Sequence, residues 1–192
     1  MYCDKHHFDF TERLDPNWRS IRDELLKLPS GRFIPWKEKQ LYESGRDVFS
    51  LYAFGNRDHA HCDLCPETTR LVESIPGLIT AGFPSLKPGT HILPHVGYAY
   101  TVDDAGNLTR SELNNTVVRG HLGLVIPESY SGFGRALEVE DELHDCSEGQ
   151  CVYFDDTVLH QVWNRTEGTR VVLLFDFQRP SHLSPATSPA SR

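Results

Sequence analysis

A chain of 192 residues is long enough for one domain with a substantial core and short for two. Its 39% hydrophobic and 24% charged residues are ordinary for a globular protein, and 19 Lys+Arg against 27 Asp+Glu leave a net charge of −8. That balance excludes general binding to a nucleic-acid polymer, which calls for a basic footprint.

No run approaches the length of a membrane-spanning helix. The start "MYCDKHHFDF" lacks the basic and apolar regions of a signal peptide, so a cytoplasmic location and no membrane partner are expected. The first predicted element is an amphipathic helix in "LDPNWRSIRDELLKL", with Asp15 as N-cap, Pro16 at the first helical position and Trp18, Ile21, Leu25 and Leu28 on one face. Pro29, Ser30 and Gly31 end it. A strand, "DVFSLYAF", follows. Cys62 and Cys65 in "HAHCDLCPETTR" form a C-x-x-C with His59 and His61 upstream. Five cysteines are an odd number and no second ligand pair stands at zinc-knuckle spacing, so a structural role is preferred to zinc or redox chemistry. A short helix then begins at Pro66 and stops at Pro76-Gly77.

Strands dominate the remainder: "GLITAGFPSL", "GTHILPH", "NTVVRGHLGLVI", "GRALEVED", "QCVYFDD", "HQVWN" and "TRVVLLFDF". Short strands parted by Gly, Pro, Asn and Asp predict an all-β core with flanking helices, a jelly roll of the cupin type. Residues 1-180 read as a single domain and 181-192 ("SHLSPATSPASR") as a disordered tail. Between two of the strands, Ala99 to Thr116 form a polar, turn-rich segment too long for a tight hairpin. Its place beside a candidate metal strand suits a lid or a substrate-selecting loop.

Alternation sorts the candidates for chemistry. In "VVRGHLGLVI", Arg119 and His121 share a face, while Val118, Leu122 and Leu124 face the other way as core. His95, His160 and Arg170 would each read as structural if they stood alone. Together, on an early strand, a late strand and the strand after it, they make a coherent site: two imidazoles suit iron, and an arginine fork suits a carboxylate cosubstrate. His91 and His144 read as structural or surface residues. Asp155 and Asp156 read as shaping the turn before His160 or orienting it, and Asp103 and Asp104 as solvated loop acids.

The order "PGTHxxPHxG…RxHLGL…FDDxxxHxxxN…R" resembles the aspartyl/asparaginyl β-hydroxylase family of Fe(II)- and 2-oxoglutarate-dependent oxygenases, over most of residues 10 to 180. The resemblance implies a double-stranded β-helix with His95 and His160 as iron ligands. It places Gly97 where related oxygenases carry a carboxylate ligand, leaving a coordination position open for water or halide. Arg170 would pair with the distal carboxylate of 2-oxoglutarate, and Arg119 and His121 would contact its other oxygens. The family's serine before "PGTH" is replaced by Pro84, with Ser85 beside it. The segment after Tyr98 is a further departure, as is the lack of the large non-catalytic regions of animal members.

The activity expected from the resemblance consumes O2 and 2-oxoglutarate, releases succinate and CO2, and functionalises a C–H bond of a small-molecule substrate. Hydroxylation comes first. Chlorination of a free metabolite such as an amino acid or nucleotide is the alternative, because chloride at the position vacated by Gly97 would restore the lost charge. A non-catalytic, cupin-like binding module is the third reading, and it would predict loss of an iron ligand or of the arginine. His95, His160 and Arg170 are all present.

Overall fold

A computed structural model describes residues 1–37, 39–97, 100–102, 108–110, 116–129 and 134–183. In chain order its strands are β1 (Tyr2–Cys3), β2 (Ile34–Pro35), β3 (Arg46–Ala53), β4 (Asn56–Arg57), β5 (Leu78–Leu86), β6 (His91–His95), β7 (Tyr100–Val102) and β8 (Leu108–Arg110). They continue with β9 (Val117–Val125), β10 (Ala136–Val139), β11 (Glu142–Asp145), β12 (Cys151–Asp155), β13 (His160–Trp163) and β14 (Arg170–Gln178). The α-helices are α1 (Thr11–Leu14), α2 (Trp18–Lys27), α3 (His59–Cys62) and α4 (Pro66–Glu73).

The large antiparallel sheet runs β1-β12-β9-β14-β5-β3-β2, with β4 on β3, and a smaller sheet runs β11-β10-β13-β6. This is the double-stranded β-helix, and the site lies between its two sheets. One face of the large sheet is covered by helices: Ile21 and Leu25 of α2 and Leu71 and Val72 of α4 are buried against Phe49, Leu51, Phe83, Leu173 and Phe175. Val118, Leu122 and Leu124 of β9 join that core, as alternation requires, which turns Arg119 and His121 to the other face. A smaller cluster of Leu86, Ile92, Leu137, Val139, Val152, Phe154 and Val162 holds the two sheets together. Gly120 is needed where β9 crosses β14, because a Cβ there would fall on the ring of Phe175.

Three local readings differ from the sequence expectation. Asp15 does not cap a helix. The chain is already helical through α1, Asp15–Asn17 form a 3-10 turn, and Asp15 Oδ1 instead accepts from the Cys151 N–H at 3.2 Å. "GRALEVED" is one arm of a hairpin whose second arm, β11, follows a reversal at Glu140 with φ of 56°. The N-terminal strand β1, which the sequence hardly signals, adds to the edge of the large sheet through Tyr2 opposite Phe154. Within the segment Ala99 to Thr116, β7 and β8 pair as an antiparallel ribbon. The rest of that segment, Asp103 and Asp104 included, lies outside the described residues, apart from Thr116, and so do residues 184–192 of the tail. Leu183, at the head of the tail, packs against the main core.

Candidate active site

β6 and β13 are neighbours in the small sheet and their register places His95 directly opposite His160. The two ring centroids lie 4.2 Å apart. Each ring is held the same way: His95 Nδ1 bonds the Leu93 carbonyl at 2.8 Å, and His160 Nδ1 bonds the Val158 carbonyl at 2.9 Å. A backbone carbonyl can only accept, so Nδ1 carries the proton and Nε2 is the basic nitrogen on both rings. Burial, then His95 and Arg119, hold the His160 imidazole well below its ordinary pKa, so it stays neutral. Imidazoles fixed through Nδ1, with Nε2 left to coordinate, are what a divalent metal requires of histidine ligands. Among the described residues no group of three or more His, Cys, Asp or Glu is arranged to hold a metal.

Both histidines line a cavity between the sheets that opens to solvent, and so do Arg119, His121 and Arg170. The structure therefore brings five of the residues singled out from the sequence to one place. Arg170, only 2% exposed, donates from Nη2 to Cys146 Sγ at 2.8 Å, while its Nε finds no hydrogen-bond partner. No carboxylate among the described residues pairs with it. A buried guanidinium without an acidic partner is costly, and a ligand carboxylate is the group that would satisfy it. His121 is sealed beside it with both ring nitrogens unpartnered. Burial first, then Arg170 and Arg119, keep that ring neutral. The donor set fits a 2-oxo dicarboxylate stretched between the paired histidines and Arg170.

Arg119 has acidic company. Its Nε and Nη2 donate to Asp176 at 2.7 and 2.8 Å, and Nη1 lies 2.6 Å from Asp156 Oδ1. Three N–H donors thus go to carboxylates, and the cosubstrate contact expected of Arg119 would have to share what remains. Asp156 is fully buried, with Oδ1 also 3.4 Å from His160 Nε2. Gly97 was the position expected to leave room for water or halide. The volume a Gly97 side chain would take is filled by the Asp156 carboxylate. Asp155 plays the turn-shaping part, its Oδ1 accepting from Thr157 N–H at 3.0 Å and Thr157 Oγ1 at 2.6 Å while Oδ2 meets Arg179.

Sequence reasoning passed over two residues of the site, Asp176, which clamps the cavity residue Arg119, and Arg46 on the cavity wall. The alternation of β14 carried the signal for the first, since Arg170, Val172, Leu174 and Asp176 share a face. Pro84 lines the cavity, whereas Ser85, one residue on, does not. Cys62 and Cys65 lie sealed in the main core, and burial pushes the Cys65 thiol up to about 12, which suits packing and not thiolate chemistry. His91 bonds Gln161 at 2.8 Å and His144 lies against Tyr2, both away from the paired histidines.

Residues 15–180 match the family model described as aspartyl/asparaginyl beta-hydroxylase. The chain is 33% identical over 181 residues to the ornithine lipid ester-linked acyl 2-hydroxylase of Rhizobium tropici, covering 90% of this chain and 58% of that protein. Among solved structures it is similar to a Trichoplax adhaerens prolyl hydroxylase in complex with a hypoxia-inducible-factor peptide fragment, with TM-score 0.57, 13% identity and coverage of 83% and 76% of the two chains. It is also similar to HygX of Streptomyces hygroscopicus with nickel and 2-oxoglutarate bound, with TM-score 0.52, 12% identity and coverage of 89% and 81%.

Proposed function

The chain belongs to the aspartyl/asparaginyl β-hydroxylase family, and from that premise we propose that it is an Fe(II)- and 2-oxoglutarate-dependent hydroxylase of a small-molecule substrate. The observation that carries this reading is the cross-strand pair His95–His160, anchored through Nδ1 and facing one cavity with Arg170, with which no carboxylate among the described residues pairs. His95 and His160 would hold the iron. Arg170 would hold the distal carboxylate of 2-oxoglutarate, and His121, neutral and unpartnered, would contact its oxygens. Bound iron, with 2-oxoglutarate and O2, supplies the oxidative cleavage of a substrate C–H bond.

The protein's own residues set the outcome. Asp156 and Asp176 both pair with Arg119, and Asp156 brings its carboxylate within 3.4 Å of His160 Nε2, at the edge of the candidate metal site. That carboxylate would offset part of a dication's charge at a site with no carboxylate at position 97, and it would disfavour a halide beside it. Hydroxylation is therefore favoured over chlorination. Beside the histidines, Leu93, Val96 and Leu159 are exposed apolar side chains, which suits a substrate with an apolar portion. The Rhizobium relative's name, an acyl hydroxylase, points the same way.

The test is anaerobic addition of Fe(II) and 2-oxoglutarate to the purified chain, followed by O2 and measurement of succinate. A visible charge-transfer band is expected on assembly, with succinate release stimulated by acylated small molecules. His95→Ala and His160→Ala should abolish both readouts. Full succinate production in either variant would remove the metal assignment.

A further inference from the structure

Arg46 opens β3 and is 4% exposed, yet it lines the same cavity as Arg170. The register explains why. Arg46 and Arg170 both stand opposite Leu86, one on each side of β5, so the two arginines rise from the same level of the large sheet. Between them the wall is Leu86 and Pro84, which offer no hydrogen-bond donor to the cavity. The Arg46 guanidinium lies over the Trp36 ring at 4.0 Å, with Tyr42 at 5.8 Å. A guanidinium held by its face against an aromatic ring keeps its N–H edge in a fixed plane, the geometry that forks a carboxylate. Along the inner face of β14, Arg170 stands at one end and Asp176, with the Arg119 clamp, at the other. Arg46 thus belongs to the end of the cavity away from Asp156.

We propose that Arg46 is a second cationic contact for the distal carboxylate of 2-oxoglutarate, acting together with Arg170 across Leu86. The proposal rests on the 2-oxoglutarate reading above and adds a residue that helps the cavity select a dicarboxylate over a monocarboxylic 2-oxo acid.

The test is calorimetric binding to the Fe(II)-loaded protein without O2, comparing 2-oxoglutarate with 2-oxopentanoate, which replaces the distal carboxylate by a methyl group. Arg46→Gln is expected to weaken 2-oxoglutarate by about 10- to 100-fold, the range of a lost charge-assisted contact, and to leave 2-oxopentanoate unchanged. Arg46→Lys, which keeps the charge but loses the planar fork, should weaken only 2-oxoglutarate, by several-fold. It decides the matter if Arg46→Gln does not fold. Unchanged 2-oxoglutarate binding in a folded Arg46 variant overturns the proposal and gives the residue to an anionic group of the other substrate. Equal weakening of both ligands overturns it in favour of a structural role. If the unaltered protein does not prefer 2-oxoglutarate and Arg170→Gln changes nothing, the 2-oxoglutarate reading itself has failed, and this inference falls with it. A loss in Arg170→Gln but not in Arg46→Gln removes this inference alone.

Discussion

The Gly97 N–H donates to the Asp156 carbonyl at 2.8 Å, and the side-chain volume that Gly97 forgoes is filled by the Asp156 carboxylate. The two residues come from opposite ends of the motif, one just after β6 and the other just before β13, so the pairing of those strands brings them together. Glycine at 97 is therefore a steric requirement of the carboxylate at 156. The second position after His95 thus carries no carboxylate of its own, and its side-chain space is filled by one from across the sheet.

Gly97→Ala is expected to destabilise the protein, because even a methyl group meets Asp156, which is fully buried and ion-paired to Arg119. Overpacking of this kind costs about 1–3 kcal/mol. Gly97→Asp should be worse, since it sets two carboxylates in one space, and the double variant Gly97→Asp/Asp156→Gly should recover much of the loss. Urea denaturation of the three variants checks this. A Gly97→Ala protein as stable as the parent would mean that Asp156 moves aside freely.

Asp156→Asn keeps the shape and removes the charge. With the carboxylate in place, chloride is expected to leave the charge-transfer band of the Fe(II)–2-oxoglutarate protein unchanged, because like charges a few ångströms apart in a buried site repel by several kcal/mol, on the order of magnitude Coulomb's law gives at intermediate dielectric. In the Asn variant chloride should shift the band saturably. A shift in the parent protein would revive chlorination.

The fold was legible because burial on two faces leaves its mark on a strand. The β9 run separates Arg119 and His121 from Val118, Leu122 and Leu124 by parity alone, and the structure keeps that division. Three things were not legible. Parity cannot say that a buried acid lies next to a particular glycine, since Gly97 and Asp156 are joined by a cross-strand register that no local pattern encodes. Nor does it show that Arg119 is bidentate to Asp176, because opposite charges on neighbouring strands look the same whether they meet or not. Asp15 misled because its N-cap signature, Asp-Pro before an amphipathic run, is equally compatible with a 3-10 turn joining two helices.

Arg119→Ala would leave Asp156 and Asp176 buried and without their shared cation. Breaking a buried ion pair from one side costs about 3–5 kcal/mol. Arg119→Lys should recover only part of this, since an ammonium cannot reproduce the bidentate bond to Asp176 while reaching Asp156. The triple change Arg119→Met/Asp156→Asn/Asp176→Asn should be more stable than Arg119→Ala, which chemical denaturation would show. Equal stability of Arg119→Ala and the parent would mean that water reaches the acids.

His121 makes the protein sensitive to mild acid. Burial, then Arg170 and Arg119, hold its folded-state pKa well below the ordinary value of about 6.5 for histidine. Below that value the unfolded chain takes up a proton that the folded one refuses, so stability falls as pH drops, by up to about 1.4 kcal/mol per pH unit for this group. Above about pH 7 the contribution is fully present. His121→Asn should therefore flatten the decline between pH 6.5 and 5.5 relative to the parent, measured by urea denaturation of both proteins at each pH. Every other titratable group is common to the two proteins, so the difference between the two curves reports the His121 site. Parallel declines would mean that the folded cavity already accommodates a charged imidazole, and that His121 has an acidic neighbour close enough to hold its proton.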